Sequence, residues 1–326
     1  MDYSPENLDA PVPPPSEGEG EEQQSVPAYR RPRPVHDTVV MYKAEIFESL
    51  GIQNIPLPEF EELAQLIADN FGIKVGENKR TLVTGRIHPM MEKYHFANHR
   101  ECLDAIKNDP TGQLLSELAN RISTNHTAFY REDAHFEVLR EKVLPELLAA
   151  KTAVGDHDLR VWSAACATGE EAYTLLFTLH RSLGFDYRKW RAGVLATDIS
   201  AEALATAKRG LYSHTRLEPV PPEVLNQYFH RVDQDNYEVL PEYRREVTFR
   251  RLNLINDSFP FKSKFDVIFC RNVMIYFSRA IRLRLLTRLR DWLVPGGYLF
   301  IGHSESLVGS HEGFSYLAPA VYCRSD

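Results

Sequence analysis

Hydrophobic positions change their spacing partway along the chain. Up to about residue 125 they recur at helical intervals. His36 to Leu50 carries Val40, Ile46 and Leu50 and ends at Gly51. Pro56 and Pro58 then interrupt the pattern, and a second helix is predicted over 59–72, with Leu63, Leu66 and Ile67 inward and Gly72 as its C-cap. A third starts near Asn78, a candidate N-cap, and turns Leu82, Val83 and Ile87 inward until Pro89 bends or ends it. Two more helices are predicted at 98–107 and 111–123. Residues 36–125 therefore read as a small all-helical domain.

Residues 126–157 read as a linker and a connecting helix, Ala134 to Leu148, with Phe136, Leu139 and Leu144 inward. From residue 158 to 326 β-prone runs alternate with helical ones. Strands are predicted at 159–165, 192–198, 247–252, 265–270, 297–303 and near 319–324. That order implies an α/β domain with a mostly parallel sheet and helices on both faces. Residues 211–246, with Pro219, Pro221 and Pro222, a short helix to about Tyr228 and a hairpin (230–232 and 237–239), break the alternation as a small β excursion.

Composition adds three constraints. No apolar run approaches the roughly 20 residues that cross a bilayer, which points to a cytoplasmic protein. Cys102, Cys166, Cys270 and Cys323 form no C-x-x-C, so neither a metal site nor a disulfide framework is expected. The net charge of −7 opposes a nucleic-acid partner. Residues 1–35 hold seven acids, three bases and eight of the twenty prolines, and read as a disordered tail. The remainder is near neutral, so local patches decide its electrostatics. One such patch runs from Lys74 to Arg100 and includes Lys79, Arg80, Arg86 and Lys93. The seven-residue spacing of Lys79, Arg86 and Lys93 would place them on one face of an unbroken helix, as a docking surface for an acidic partner or a merely solvated face.

The chemistry gathers around Arg160 to Glu171, a β-prone run, a small-residue turn and an acidic helix start. It has neither the G-x-G-x-x-G of a dinucleotide site nor the G-K-[S/T] of a phosphate loop. A helix N-terminus ordinarily favours an anion, and Glu170 with Glu171 would repel one. A neutral or cationic adenosine compound fits this turn better than a polyphosphate; a plainly capped helix start fits it equally. Asp198 ends the second strand, where an acid can hold a ribose diol or cap a helix. Asn253 could read an adenine edge, and Arg271, Asn272 and Tyr276 fall just beyond the sheet's carboxyl edge. His303 ends the fifth strand and reads as structural.

Five stretches, in this order, resemble the CheR family of chemotaxis receptor methyltransferases: Asn125 to Arg131, Trp162 to Glu171, Ala196 to Ile199, Ile268 to Phe277, and Gly302 to Ser306. The resemblance covers the chain from about residue 55 to the end. It implies a Rossmann-like S-adenosylmethionine-dependent methyltransferase domain behind the helical one. The acceptor it implies is a glutamate side chain of a chemoreceptor, and the products are a methyl ester and S-adenosylhomocysteine.

By position, the resemblance assigns Asn125, Thr127, Arg131, Glu171, Asp198, Asn253, Leu254, Arg271 and Asn272 to the cofactor. It also implies that the helical domain, through Lys79, Arg80, Arg86 and Lys93, faces the receptor's acidic helical bundle, with the enzyme a monomer. Ala172 stands where the family often has Pro. The acceptor carboxylate, with a pKa near ~4.3, is already ionised at pH 7 and needs no general base. Arg131 and Tyr276 are the candidates for aligning it. The turn at Asp233 to Asn236 is short for holding a receptor tether. Two rival readings are a same-fold methyltransferase on RNA or a small molecule, and a non-catalytic adaptor that senses S-adenosylmethionine.

Overall fold

The computed structural model describes residues 52–307 and 313–325. The tail at 1–35 and the helix expected at 36–50 lie outside the described residues. No helix among the described residues is long and apolar enough to cross a membrane. All four cysteines are free.

Four helices come first: α1 (Leu57–Phe71), α2 (Arg80–Tyr94), α3 (His99–Asn108) and α4 (Gln113–Ile122). Their apolar stripes meet in a core of their own that includes Phe60, Leu63, Ile67, Ile87, Met90 and Leu118. Gly72 ends α1 in the left-handed region, at φ 72°, and its N–H donates to the Ala68 carbonyl. Asn78 does not cap α2, because it lies inside a 3-10 turn, Glu77–Lys79, that leads into the helix.

Pro89 does not end α2 either. The helix runs through it to Tyr94, with Ile87 and Met90 buried on either side. Burying those two side chains is worth about 3–6 kcal/mol. That meets or exceeds the roughly 3 kcal/mol that an interior proline costs. Of the bases expected on one face, Lys79 and Arg86 border one hollow together with Lys74. Lys79 sits in the 3-10 turn, and Lys93 pairs with Glu117 at 3.4 Å. Arg86 is half-buried and donates to the Ile122 carbonyl at 2.5 Å and to Thr124 Oγ1 at 3.1 Å.

The connecting helix is longer than its spacing suggested. It comprises α5 (Ala134–Val138), a π turn (Leu139–Val143) and α6 (Leu144–Ala153). Pro145 has no N–H for the carbonyl four residues back, and the backbone widens just before it.

The sheet elements follow: β1 (Asp158–Ala164), α7 (Glu170–Leu183), β2 (Arg191–Asp198), α8 (Ala201–Arg209), β6 (Val247–Arg251), β7 (Phe265–Cys270), α11 (Arg279–Trp292), β8 (Leu293–Ile301), β9 (Phe314–Ala318) and β10 (Val321–Arg324). Strand order is β6-β2-β1-β7-β8-β10-β9. The first five strands are parallel, and β10 and β9 are antiparallel additions at one edge. The sequence pattern showed one late strand where the fold has the hairpin β9–β10. Order reverses between β1 and β7, the switch point where ligands of open α/β sheets bind.

Two-residue alternation sorts the strand side chains between two cores. Val267 and Phe269 join α5–α7 on one face, whereas Ile268 and Cys270 join α11 on the other. Trp162 is fully buried on the α11 side, and its indole N–H donates to Thr197 Oγ1 at 2.9 Å, tying β1 to β2. The excursion contains β3 (Leu211–Ser213), α9 (Pro222–Tyr228), β4 (Phe229–Arg231), β5 (Asn236–Val239) and α10 (Pro241–Arg244). Its three strands form a separate antiparallel sheet, β3-β5-β4, one strand more than the predicted hairpin.

The helical layer touches the sheet domain where α1 ends. Ile73 bridges to Phe277, and the Lys74 N–H donates to the Tyr276 carbonyl at 3.0 Å. A Cβ on Gly72 would lie 2.6 Å from Ile255 Cγ2 and 3.3 Å from Ile281 Cδ1. Gly155 has a similar φ of 71° but open space around it. Gly155→Ala should therefore cost only the left-handed term, about 1–2 kcal/mol. Gly72→Ala should cost more than that, and urea unfolding of the two variants measures the packing part by difference.

Candidate active site

The turn after β1 is strained. Ala165, Ala167 and Gly169 all have positive φ, at 67°, 47° and 98°. For each alanine the left-handed region costs about 1–2 kcal/mol, so neighbours must fix the shape. The end of β2 supplies two of those anchors. The Cys166 N–H donates to the Thr197 carbonyl at 2.9 Å, and the Ala167 N–H donates to Asp198 Oδ2 at 2.8 Å. Asp198 Oδ1 also accepts from the Ser200 N–H, while the Ser200 side chain caps α8. Burial pushes the Asp198 carboxyl up, against the pull of the Ser200, Ala167 and Ile199 N–H groups.

The linker is held as firmly. Phe129 is buried edge-on against Tyr212 and Phe229, and Phe136 stacks on Phe269. Between them Tyr130 and Glu132 have positive φ, at 53° and 55°, so the chain is sharply bent on both sides of Arg131. Arg131 Nη1 donates to the His126 carbonyl at 2.7 Å.

Arg271, at the end of β7, is buried and links three segments. Its Nη2 donates to Glu132 Oε2 at 3.0 Å and to the Arg131 carbonyl. Its Nη1 lies 3.5 Å from Glu171 Oε2, and its guanidinium packs over the rings of Phe136 and Phe269. Glu171 Oε1 accepts from Ser163 Oγ at 2.7 Å. Burial raises the Glu171 carboxyl, partly opposed by Arg271, Ser163 and Arg131. Asn272, also left-handed at φ 56°, donates its N–H to Glu305 Oε2 and its amide to Glu132 Oε1.

Asn125, Thr127, Arg131, Glu171, Asp198, Asn253, Leu254, Arg271, Asn272 and Tyr276 all border one cavity at the switch point, closed on one side by Phe71 and Ile73 of the helical layer. Asn253 borders it with both ends of its side-chain amide already engaged. Its amide donates to the Asn70 carbonyl at 2.7 Å, and its Oδ1 accepts from the Ile255 N–H. Two acids, two arginines and a tyrosine share this wall with neutral polar and apolar side chains, a set able to hold a cation and a carboxylate side by side.

Three further carboxylates shape this edge. Glu132 joins Arg271 to Asn272. Glu305 accepts N–H groups from Asn272, Gly302 and Ile275 and so fastens the turn after β7 to the one after β8. Glu170, read as an ordinary helix-start acid, is fully buried and paired with Arg216 of the excursion. All three lie inside or beside the five recognised stretches, next or close to Arg131, His303 and Glu171. Glu132, His135 and His303 place ligand atoms within 4.8 Å of one another. Arg271 and Asn272 already engage that carboxylate, and the fixed positive charge of Arg271 beside it opposes a second cation, so the trio reads as packing rather than a cation site.

Residues 125–323 match the model of the CheR methyltransferase SAM-binding domain, and residues 58–123 match that of the CheR methyltransferase all-alpha domain. The chain is 36% identical over 272 residues to the chemotaxis protein methyltransferase of Borreliella burgdorferi, covering 83% of this chain and 96% of that one. It is 38% identical to chemotaxis protein methyltransferase 1 of Pseudomonas aeruginosa, over 82% and 97%. To the chemotaxis protein methyltransferase of Escherichia coli it is 34% identical, over 82% and 90%. Two domain models in sequence and relatives matched over nearly their full length place this chain in the CheR family of S-adenosylmethionine-dependent methyltransferases.

Proposed function

We propose that the enzyme methylates glutamate carboxylates of methyl-accepting chemoreceptors, as a monomer in the cytoplasm. The observation that carries this reading is the shared wall of the cavity, where Glu171 and Asp198 stand together with Arg131 and Tyr276. Bound S-adenosylmethionine supplies an electrophilic methyl group on a sulfonium and brings an ammonium group and a ribose diol. The residues present fit it: Glu171 suits the ammonium, Asp198 the diol, and the main chain of Asn253 and Leu254 the adenine edge. Asn125 and Thr127 border the same ligand from the linker, and Arg271 with Asn272 closes the far side.

Arg131 and Tyr276 are then free to hold the acceptor. The acceptor carboxylate is anionic at pH 7, so the protein need not remove a proton. It must align the oxygen with the methyl carbon and keep one lone pair exposed. The Arg131 contact to the His126 carbonyl takes up part of its guanidinium, which favours a one-point grip on the acceptor over a bidentate one. Of the bases that would face an acidic receptor, Lys79 and Lys93 are solvent-facing, Arg80 is partly so, and Arg86 is half-buried with its guanidinium on the Ile122 carbonyl and Thr124.

Three outcomes test the reading. With radiolabelled donor and chemoreceptor, label should enter protein and leave it in mild base; label that resists base would point to N-methylation and a different acceptor. Arg131→Ala should lower kcat about a hundredfold or more while changing donor affinity only a few-fold, since an interaction made in the transition state acts on kcat. Equal losses in both would remove Arg131 from the acceptor side. Donor affinity should also depend on pH. The ionised form of Glu171 binds the ammonium, and burial raises its pKa above the usual ~4.3. Affinity should therefore begin to fall at a higher pH than for an exposed glutamate as the solution is acidified. Glu171→Gln should be weaker throughout and lack that step when binding is followed by calorimetry.

A further inference from the structure

The excursion grips the same strained turn that the end of β2 grips, from the opposite side. Thr168 is the contact point. Its carbonyl accepts from the Tyr212 hydroxyl at 2.8 Å, and its Oγ1 accepts from Arg216 Nη2 at 2.8 Å while donating to Glu170 Oε2 at 2.8 Å. Arg216 also ion-pairs with Glu170, whose side chain is fully buried. One residue on, a Cβ at Gly169 would lie 2.8 Å from Ala207 Cβ and 3.0 Å from the Tyr212 hydroxyl. The turn is thus clamped at Cys166 and Ala167 by β2, and at Thr168 and Glu170 by β3 and the 3-10 turn after it, His214–Leu217.

We infer that Tyr212 and Arg216 are positioning residues for the donor: the excursion holds residues 165–169 in the left-handed shape on which S-adenosylmethionine rests. The inference depends on the reading that this turn and Glu171 carry the donor. Tyr212, Arg216, Thr168 and Glu170 are not among the residues that border the cavity, whereas Ala165, Ala167 and Glu171 are. Their effect on the donor must pass through the backbone. Two alanines in the left-handed region have downhill alternatives, and an unclamped turn will populate them. Because Glu171 follows Glu170 directly, any movement of the backbone at Glu170 also moves Glu171. A ligand that binds only the clamped state has its affinity reduced by the fraction of chains lost to the relaxed one. Once the donor is bound the turn is held again, so the chemical step is spared.

Four variants of the full chain decide the matter, with donor affinity from calorimetry, KM and kcat with a chemoreceptor substrate, and thermal unfolding. Losing hydrogen bonds to charged groups should raise the donor Kd and KM about tenfold in Arg216→Ala, with kcat at saturating donor within about twofold of wild type. Arg216→Lys should recover part of the affinity. Tyr212→Phe, which removes only a hydroxyl, should move Kd in the same direction by a few-fold. Arg216→Ala leaves a buried carboxylate unpaired and will lower the unfolding temperature. The double variant Arg216→Ala with Glu170→Gln removes that penalty and should regain stability but not affinity. Full recovery of donor affinity in the double variant would overturn the inference, since Arg216 would then be only a counter-ion. Wild-type affinity in both Arg216→Ala and Tyr212→Phe would overturn it as well. Failure of the unsubstituted chain to bind S-adenosylmethionine would instead overturn the donor reading beneath it.

Discussion

One buried guanidinium holds the catalytic edge together. Arg271 reaches Glu132 on the linker, the Arg131 carbonyl beside it, and Glu171 on α7, while Phe136 and Phe269 cover its faces. Desolvating a cation there is tolerable only because oxygens on two sides replace its water. One arginine between two carboxylates leaves that trio with a net negative charge, the sign a sulfonium and an ammonium call for. The linker, β7 and α7 cannot move independently without breaking a contact of this one side chain. Its contribution is to geometry more than to stability, because a buried ion pair gains little over apolar packing.

Around it the same device recurs. Three segments at the carboxyl edge have left-handed residues that are not glycine: Ala165 and Ala167 after β1, Tyr130 and Glu132 in the linker, Asn272 after β7. Around the β1 and β7 turns, buried carboxylates collect main-chain N–H groups, Asp198 from Ala167 and Ser200, Glu305 from Asn272, Gly302 and Ile275. A carboxylate with several oriented donors fixes backbone that would otherwise relax. These acids act as staples, Glu305 away from the cavity and Asp198 while bordering it. The helical layer contributes shape more than charge. Phe71 and Ile73 close the cavity, and Arg86, which might have faced a partner, holds the end of α4 and Thr124 near the start of the linker.

How much of this could be read beforehand depended on the range of the interaction. Strand and helix order came from local periodicity, and of the ten site residues that the fold brings to one cavity, eight lie in the five recognised stretches. The roles of Glu132, Glu305 and Glu170 could not be read that way, because each follows from partners far along the chain. Glu132 meets Arg271 and Asn272 about 140 residues on, and Glu170 meets Arg216. A glutamate's letter is the same whether it is solvated or buried. Pro89 failed as a helix terminator for the same reason: its penalty is local and visible, whereas the burial of Ile87 and Met90 that outweighs it is not.

By itself the sequence determined the alternation of elements, the small-residue turn with its acids and the family to which the chain belongs, since all three rest on residue types at short spacing. Only the tertiary structure decided which acids face the cavity and which staple backbone. It also showed that the Asn253 amide is engaged by Asn70, and that the excursion clamps the β1 turn through Tyr212 and Arg216. Those outcomes depend on desolvation and on hydrogen bonds between segments tens to more than a hundred residues apart, and no local pattern encodes either.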